Sequence, residues 1–433
     1  MKALLIGNGA REHVIAEKIA ENAELYAFMS KRNPGIIKIC KDFKIGNLLD
    51  FEKIKEFSAR IDPDYVSVGP EDPLAQGIAD SLDRVIGPNR KLAKLESDKG
   101  FCRELMKENL RCGYPKFEVC STYKEAKRAV DEIGDVAVKP AGLTAGKGVK
   151  VVGQQLKNRK EAKEYANEIL EREIGNIKSV VIEEKLEGEE FTMQAFTDGS
   201  HLSVMPIVQD HKYAYEGDRG PMTGGMGSYS DFNHSLPFLN HKENEKAIEI
   251  MNETIKAIQK KTGEKYRGIL YGGFMLTKDG PKILEYNVRF GDPEAMNVLP
   301  LLKTDLSDLC CSILDGNLKN VKFDSKATVC KYLVPKGYPE NPEGNVMVDI
   351  NENEIKKAKL YYASVDERDH KLYTSTSRSF GIVGIADSIE EAEEIAEKAI
   401  STVQCDKLFY RKDIGKRELI EKRIEHMREL RGL

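Results

Sequence analysis

Ile283-Leu-Glu-Tyr-Asn-Val-Arg-Phe-Gly-Asp-Pro-Glu294 opens with a period-two alternation. Leu284, Tyr286, Val288 and Phe290 fall on one side of a strand, and Glu285, Asn287 and Arg289 on the other. The apolar row suits a core. The polar row sets a carboxylate, an amide oxygen and a guanidinium along a rigid backbone. Such oxygens are hard donors of the kind Mg²⁺ takes when substrate phosphates supply its remaining ligands. A guanidinium suits the charge that develops on a transferring phosphoryl group. Gly291-Asp-Pro-Glu294 then turns the chain, with Glu294 opening a helix. A solvated edge strand would show the same alternation, and what the rest of the chain places beside it decides between the two.

Upstream, Val136-Ala-Val-Lys-Pro-Ala-Gly-Leu-Thr-Ala-Gly-Lys-Gly-Val-Lys-Val-Val152 predicts a short apolar strand ending at Lys139, a glycine loop, and a returning strand from Val149 to Val152. Gly142, Gly146 and Gly148 leave backbone N–H groups free to approach phosphate oxygens, and Lys147 adds charge. No helix with Gly-Lys-Ser/Thr follows, so this is not a Walker A loop. A hairpin closing over phosphates is the other known arrangement. Further on, Ser179-Val-Val-Ile-Glu-Glu-Lys-Leu-Glu-Gly-Glu-Glu-Phe-Thr192 predicts strand, linker, strand. Backbone groups of the linker, from Glu183 and Glu184 to Leu186, are placed to read an adenine edge, and Glu190 to hold ribose hydroxyls. Taken alone, this acidic turn would be a solvated surface.

These elements, in this order, resemble the ATP-grasp superfamily. Asp210-His-Lys-Tyr-Ala-Tyr-Glu-Gly-Asp-Arg-Gly-Pro-Met-Thr-Gly-Gly-Met-Gly227, with Asn287 to Glu294, narrows the likeness to the phosphoribosylamine–glycine ligase family. Ile6-Gly-Asn-Gly-Ala-Arg-Glu-His13 and Gly69-Pro-Glu-Asp-Pro-Leu-Ala75 also match that family, so the resemblance runs from residue 1 past residue 400. It implies ATP and Mg²⁺ or Mn²⁺ as cofactors, with glycine and 5-phosphoribosylamine as small-molecule substrates. ATP would turn glycine into glycyl phosphate, whose carbonyl the amine attacks to give glycinamide ribonucleotide. Glu285 and Asn287 become the metal ligands. Lys99 and Lys139 join the glycine loop on the ATP phosphates, and Arg289 acts on the transferring group. Asp292 and Glu294 are expected to orient Arg289 or to hold the amines. Gly9, Glu12, Gly69, Pro70 and Glu71 are expected to hold phosphoribosylamine. The glycine-rich segment 209–229 is expected to be a flexible substrate-facing loop, with Asp218, Thr223, Gly224 and Gly225 toward substrate. A second acidic ligand, common one hairpin before the Glu in ATP-grasp enzymes, is missing, because that position falls on Gly273. The metal count stays open.

The 433 residues exceed one ordinary core. The pattern predicts an α/β and α+β multidomain protein. Residues 1–98 form a parallel α/β domain, 99–322 a two-lobed ATP-grasp domain with its smaller lobe over about 115–190, and 323–433 a small α+β domain. The open Gly7-x-Gly9 turn leaves room for a phosphate on a helix N-terminus, but Glu12 stands where a dinucleotide fingerprint needs Gly or Ala. Ser97-Asp98 predicts a helix start before Lys99. Pro335-Lys-Gly-Tyr-Pro339 reads as a structural turn.

A net charge of −4 without a basic run argues against nucleic acid. No apolar run is long enough for a bilayer, and Met1-Lys-Ala-Leu-Leu-Ile-Gly-Asn reads as a strand entering a glycine loop rather than a signal peptide. A cytoplasmic enzyme, not bound to membrane, is expected; monomer and dimer are both admitted. The eight cysteines form no C-x-x-C pair, so neither zinc nor redox chemistry is indicated. Another ATP-grasp ligase or a carboxylase-type relative is the competing enzyme reading, opposed by the N-terminal and 210–227 motifs. A nucleotide sensor without turnover would have to lack the metal or phosphate groups that Lys139, Glu285, Asn287 and Arg289 provide.

Overall fold

The computed structural model describes residues 1–144, 148–355 and 357–433, so the expected roles of Gly146 and Lys147 lie outside the described residues. The chain opens with a parallel sheet of Lys2–Ile6, Glu24–Met29, Asp42–Ile45, Tyr65–Val68 and Val85–Ile86. The first strand lies in the middle, with the second and third on one side and the fourth and fifth on the other. Ala3 to Ile6 are fully buried, as a central parallel strand covered on both faces requires. The edge strand Asp42–Ile45 is followed by the helix Phe51–Ile61.

The smaller lobe runs strand–helix–strand–strand–helix–strand. Phe117–Cys120, Val180–Glu184, Val136–Pro140 and Lys150–Val151 pair side by side as an antiparallel sheet. The helices Tyr123–Ile133 and Arg159–Arg172 pack on it through Ala126, Ala129, Val130, Ala162, Ala166 and Ile169. Thr122 and Glu125 start the first of these with a reciprocal capping box.

The larger lobe is built on the antiparallel strands Leu202–Val204, Glu189–Thr197, Gly268–Thr277 and Gly280–Asn287, in that spatial order. Helix His241–Thr262 covers it with Ile250, Met251, Ile255 and Ile258. The last strand departs from strict alternation at one residue. Gly273 pairs with Glu285 and Phe274 with Ile283, which leaves Leu284 as a bulge. Ile283, Tyr286, Val288 and Phe290 face the core. Leu284, expected in that row, instead joins Glu285, Asn287 and Arg289 on the cleft wall. A bulge sets two successive side chains on the same face, and a period-two reading has no place for it.

The segment 209–229 is ordered, which corrects its expected flexibility. It folds as Gln209–Asp210, Tyr213–Tyr215, Arg219–Met222 and Gly227–Ser230, with Ala214, Met226 and Tyr229 buried. The strands at 209 and 227 extend the C-terminal sheet, pairing onto Ala327–Pro335, which continues into Phe380–Ala386 and Ala358–Tyr362. Ala358–Tyr362 is followed by a second strand, Val365–Arg368, which belongs to a small separate sheet. Helix Ile389–Ile400 backs the main sheet, and helix Arg417–Arg431 returns to the cleft. Among the described residues, no helix is long and apolar enough to cross a membrane.

Candidate active site

The two lobes and the C-terminal elements enclose a cleft of about 1220 Å³. Its walls bring together Lys99, Lys139, Glu183, Glu184, Leu186, Glu190, Asp218, Thr223, Gly224, Glu285, Asn287, Arg289, Asp292, Glu294 and, from the first domain, Glu71. Gly9, Glu12, Gly69, Pro70, Gly142, Gly148 and Gly225 do not line it.

The reason is clearest at the N-terminal turn. Glu12 folds back so that its Oε2 accepts the Gly9 N–H at 2.5 Å, while Oε1 accepts Arg11 Nε at 2.7 Å. Its carboxylate packs against the glycine turns; a Cβ on Gly69 would lie 2.0 Å from Glu12 Oε1. In this structure the Gly9 N–H at the helix N-terminus is thus satisfied by Glu12. Gly142 is explained by packing, because a Cβ there would lie 1.9 Å from the Gly175 carbonyl oxygen.

The polar row of the 280–287 strand has the expected neighbours. Burial disfavours the Glu285 carboxylate, yet Lys212, Lys99, Lys139 and Arg289 hold it ionised, below the usual range. Asn287 lies beside it, 9% exposed. Gly273 is the cross-strand partner of Glu285, so the position where a second acidic ligand would stand carries no side chain. Among the described residues no group of three or more His, Cys, Asp or Glu side chains is arranged around a metal site. One carboxylate and one amide oxygen facing a cleft fit an ion that shares its shell with phosphate oxygens and water.

The cations are each fixed. Asp98 caps the helix Lys99–Asn109 by accepting the Phe101 N–H, which sets Lys99 at the first turn. Lys99 Nζ donates to the Gly142 carbonyl at 2.9 Å, and burial lowers its pKa. Lys139 Nζ lies 2.8 Å from Glu183 Oε2 and donates to the Leu284 carbonyl at 3.1 Å. The Glu183 side chain is thus turned onto protein cations, not toward an adenine. At the linker, the Leu186 N–H has no partner among the described residues. Glu184 Oε1 is held by Lys282 at 2.7 Å.

Arg289 is oriented by residues far away in sequence. Its Nη2 meets Glu96 Oε1 at 3.0 Å and its Nε meets Glu71 Oε2 at 3.3 Å. Arg289 holds Glu71 down to about 2, whereas burial pushes Glu96 up to about 7 despite the same guanidinium. Asp292 and Glu294, expected to orient Arg289, do not. Asp292 pairs with Arg378 at 2.9 Å and accepts the Tyr332 hydroxyl at 2.5 Å. Glu294 Oε1 accepts Tyr271 at 2.9 Å and Thr192 at 3.1 Å. Asp218 is likewise committed to protein, between Arg411 at 2.9 Å and Arg423. Tyr338 and Pro339, expected in a plain turn, lie on the cleft rim.

Several residues escaped the sequence reading. Lys212 Nζ lies 2.7 Å from Glu190 Oε2; it keeps its proton well above the usual range although burial opposes this, because Glu190, Asp210 and Glu285 surround it. Burial pushes Asp210 up to about 7, with Lys212 pulling down and Glu294, Glu190 and Glu285 pushing up. Both stand in the Asp210–Gly227 motif, and their adjacency to Glu190 was the missing signal. Arg11, Glu96, Arg103 and Arg378 also line the cleft. Cys102 lies there too, but burial raises its thiol to about 11, so it is no nucleophile.

Known proteins agree with this geometry. Three family models, the phosphoribosylglycinamide synthetase N domain, ATP-grasp (A) domain and C domain, match residues 1–96, 97–295 and 328–417. The chain is 51% identical to a phosphoribosylamine–glycine ligase of Methanopyrus kandleri over the whole of both chains. It is 49% identical to one of Methanocaldococcus jannaschii, again over both full lengths. A crystal structure of phosphoribosylamine–glycine ligase from Thermotoga maritima superposes with a TM-score of 0.83 at 28% identity, covering 96% of this chain and 100% of that one. A biotin carboxylase domain from Hydrogenobacter thermophilus shares the fold at a TM-score of 0.71 and 15% identity. With the domain models matched in order and half of the residues shared along entire chain lengths, this chain belongs to the phosphoribosylglycinamide synthetase family of ATP-grasp ligases.

Proposed function

We propose that the cleft binds ATP between its lobes and joins glycine to 5-phosphoribosylamine, giving glycinamide ribonucleotide, ADP and phosphate. The observation that carries this reading is the convergence of Glu285 and Asn287 with Lys99, Lys139, Lys212 and Arg289 on one enclosed cleft. A carboxylate oxygen leaves poorly, so glycine is first phosphorylated by ATP and the amine then displaces phosphate from the carbonyl. This chain contributes positioning and charge neutralisation and needs no covalent nucleophile.

Leu186 and the Glu184 backbone face the adenine and Glu190 the ribose. Lys99 and Lys139 take the phosphates. Glu285 and Asn287 hold Mg²⁺ or Mn²⁺, either of which suits hard oxygens and would neutralise charge on the phosphates. Arg289, braced by Glu71 and Glu96, and Lys212 face the transferring group. Asp210 receives the proton that the attacking amine must lose. Thr223, Gly224, Asp292 and Glu294 line the part of the cleft assigned to the acyl and amine substrates. We assign residues 1–98, 99–322 and 323–433 to the three domains and place the enzyme in the cytoplasm. A monomer is the proposed active form.

ADP release with ATP and Mg²⁺ tests the reading. It is expected to require both glycine and freshly generated phosphoribosylamine, with glycinamide ribonucleotide formed in equal amount. Turnover with another carboxylate or amine would move the specificity elsewhere, and ATP binding without turnover would replace ligase by sensor.

A further inference from the structure

Arg103 is buried at the point where the two ATP-grasp lobes meet. Its Nε and Nη2 donate to the Glu183 carboxylate at 2.7 and 3.1 Å, and Nη2 also reaches the carbonyls of Leu284 at 2.7 Å and Ile283 at 3.2 Å. Nη1 faces Met106 Sδ at 3.7 Å. The side chain is 3% exposed and Glu183 is 2% exposed. These donors are turned into protein, so the guanidinium is no ligand for a substrate.

Its partners are informative. Glu183 Oε2 is shared with Lys139, and the Leu284 carbonyl is shared with Lys139 as well. Leu284 is the bulged residue, directly before Glu285. In a dry site, Glu183 and Lys139 alone would form a neutral pair, and the lysine would have no net charge left for an anion. The second cation on the same carboxylate leaves the cluster with one net positive charge, and Lys139 is its member nearest open space, at 8% exposed.

We propose that Arg103 is a positioning residue for nucleotide phosphate binding. It occupies Glu183 so that Lys139 remains available to phosphate, and it pins the bulge that presents Glu285 to the cleft. This rests on the assignment of Lys139 to the ATP phosphates made above. Arg103 stands one helical turn after Lys99 on the same face, so one short helix delivers a phosphate-facing cation and the group that frees another.

The test is calorimetric binding of ADP and of adenosine to the full chain, with Mg²⁺ present. R103M is expected to weaken ADP by about tenfold or more, the order of one charge-assisted contact, while adenosine stays within about twofold. Adding E183Q is expected to bring ADP back to within about threefold of wild type, since the neutral amide no longer cancels the charge of Lys139. A merely structural role would weaken adenosine and ADP together and would not be relieved by a second core substitution, and either result overturns the proposal. Should R103M fail to fold, R103M/E183Q, which keeps the cluster's net charge of one positive, carries the test alone, and a tenfold loss of ADP affinity in it overturns the proposal. K139M separates the two claims. Wild-type ADP affinity in K139M removes the phosphate role of Lys139 itself, whereas a loss in K139M with none in R103M removes only that of Arg103.

Discussion

Glu285 is an ionised carboxylate kept in a buried cleft by the cations around it. That is the state a hard metal needs in a ligand. Glu285→Ala is expected to lower kcat by about 10³-fold while near-ultraviolet circular dichroism stays that of wild type; turnover near wild type with Mg²⁺ would remove the metal assignment. Asp210 differs in kind. Burial and neighbouring carboxylates raise it to about 7, so it is ionised only above that pH. A base must be deprotonated to accept the amine's proton, so kcat is expected to rise with pH through about 7. Asp210→Asn is expected to lose that acid limb and about 10²-fold in kcat. A pH–rate profile of the variant that keeps the limb would assign it to another group.

Packing between elements sets how closely the C-terminal helix Ile389–Ile400 approaches its sheet. Gly384 pairs with Val329 and Ala358 on either side, and a Cβ there would lie 1.8 Å from the Ala392 carbonyl oxygen. The clash is with backbone, so no side-chain rotation relieves it and the helix must retreat. Gly384→Ala is expected to lower the unfolding free energy by about 3 kcal/mol in urea titration. The cost should appear as a lower midpoint with unchanged m. The same sheet accepts the strands at 209 and 227, which is why the glycine-rich segment between the lobes is ordered and why Asp210 and Lys212 keep a fixed place.

The first and last domains are docked through His13. Its Nδ1 accepts the Tyr362 N–H at 2.9 Å, its ring stacks on Tyr362, and Asn33 donates to the Tyr362 carbonyl at 2.8 Å. Burial lowers His13 from 6.5 to about 4, reinforced by Lys38 and Lys359 and opposed by Glu17 and Glu352. Between those values the unfolded chain binds a proton that the folded chain refuses. Stability from this group is therefore fully present above pH 6.5 and declines as pH falls toward 4, by on the order of 3 kcal/mol in total. Denaturant titrations across that window are expected to show the decline in wild type and a flatter profile in His13→Gln. An equal slope in both would place the acid sensitivity elsewhere.

The parallel N-terminal α/β domain, the strands of the smaller lobe around Lys139 and the polar row Glu285, Asn287 and Arg289 were all legible along the chain. Each is set by the period of neighbouring side chains, the cap at Asp98 or a contiguous motif. The bulge at Leu284 was not, because it is defined by the opposing strand rather than by its own residues. Nor were the partners of Arg289, which are Glu71 and Glu96 rather than the nearby Asp292 and Glu294. Glu12 was named for the substrate by resemblance, and only the folded side chain shows that it accepts the Gly9 N–H of its own glycine turn. Composition and spacing decide which chemistry a segment can carry. Which charge neutralises which, in a site built from segments hundreds of residues apart, is decided by tertiary contact, because burial makes every cation and carboxylate there depend on the nearest opposite charge.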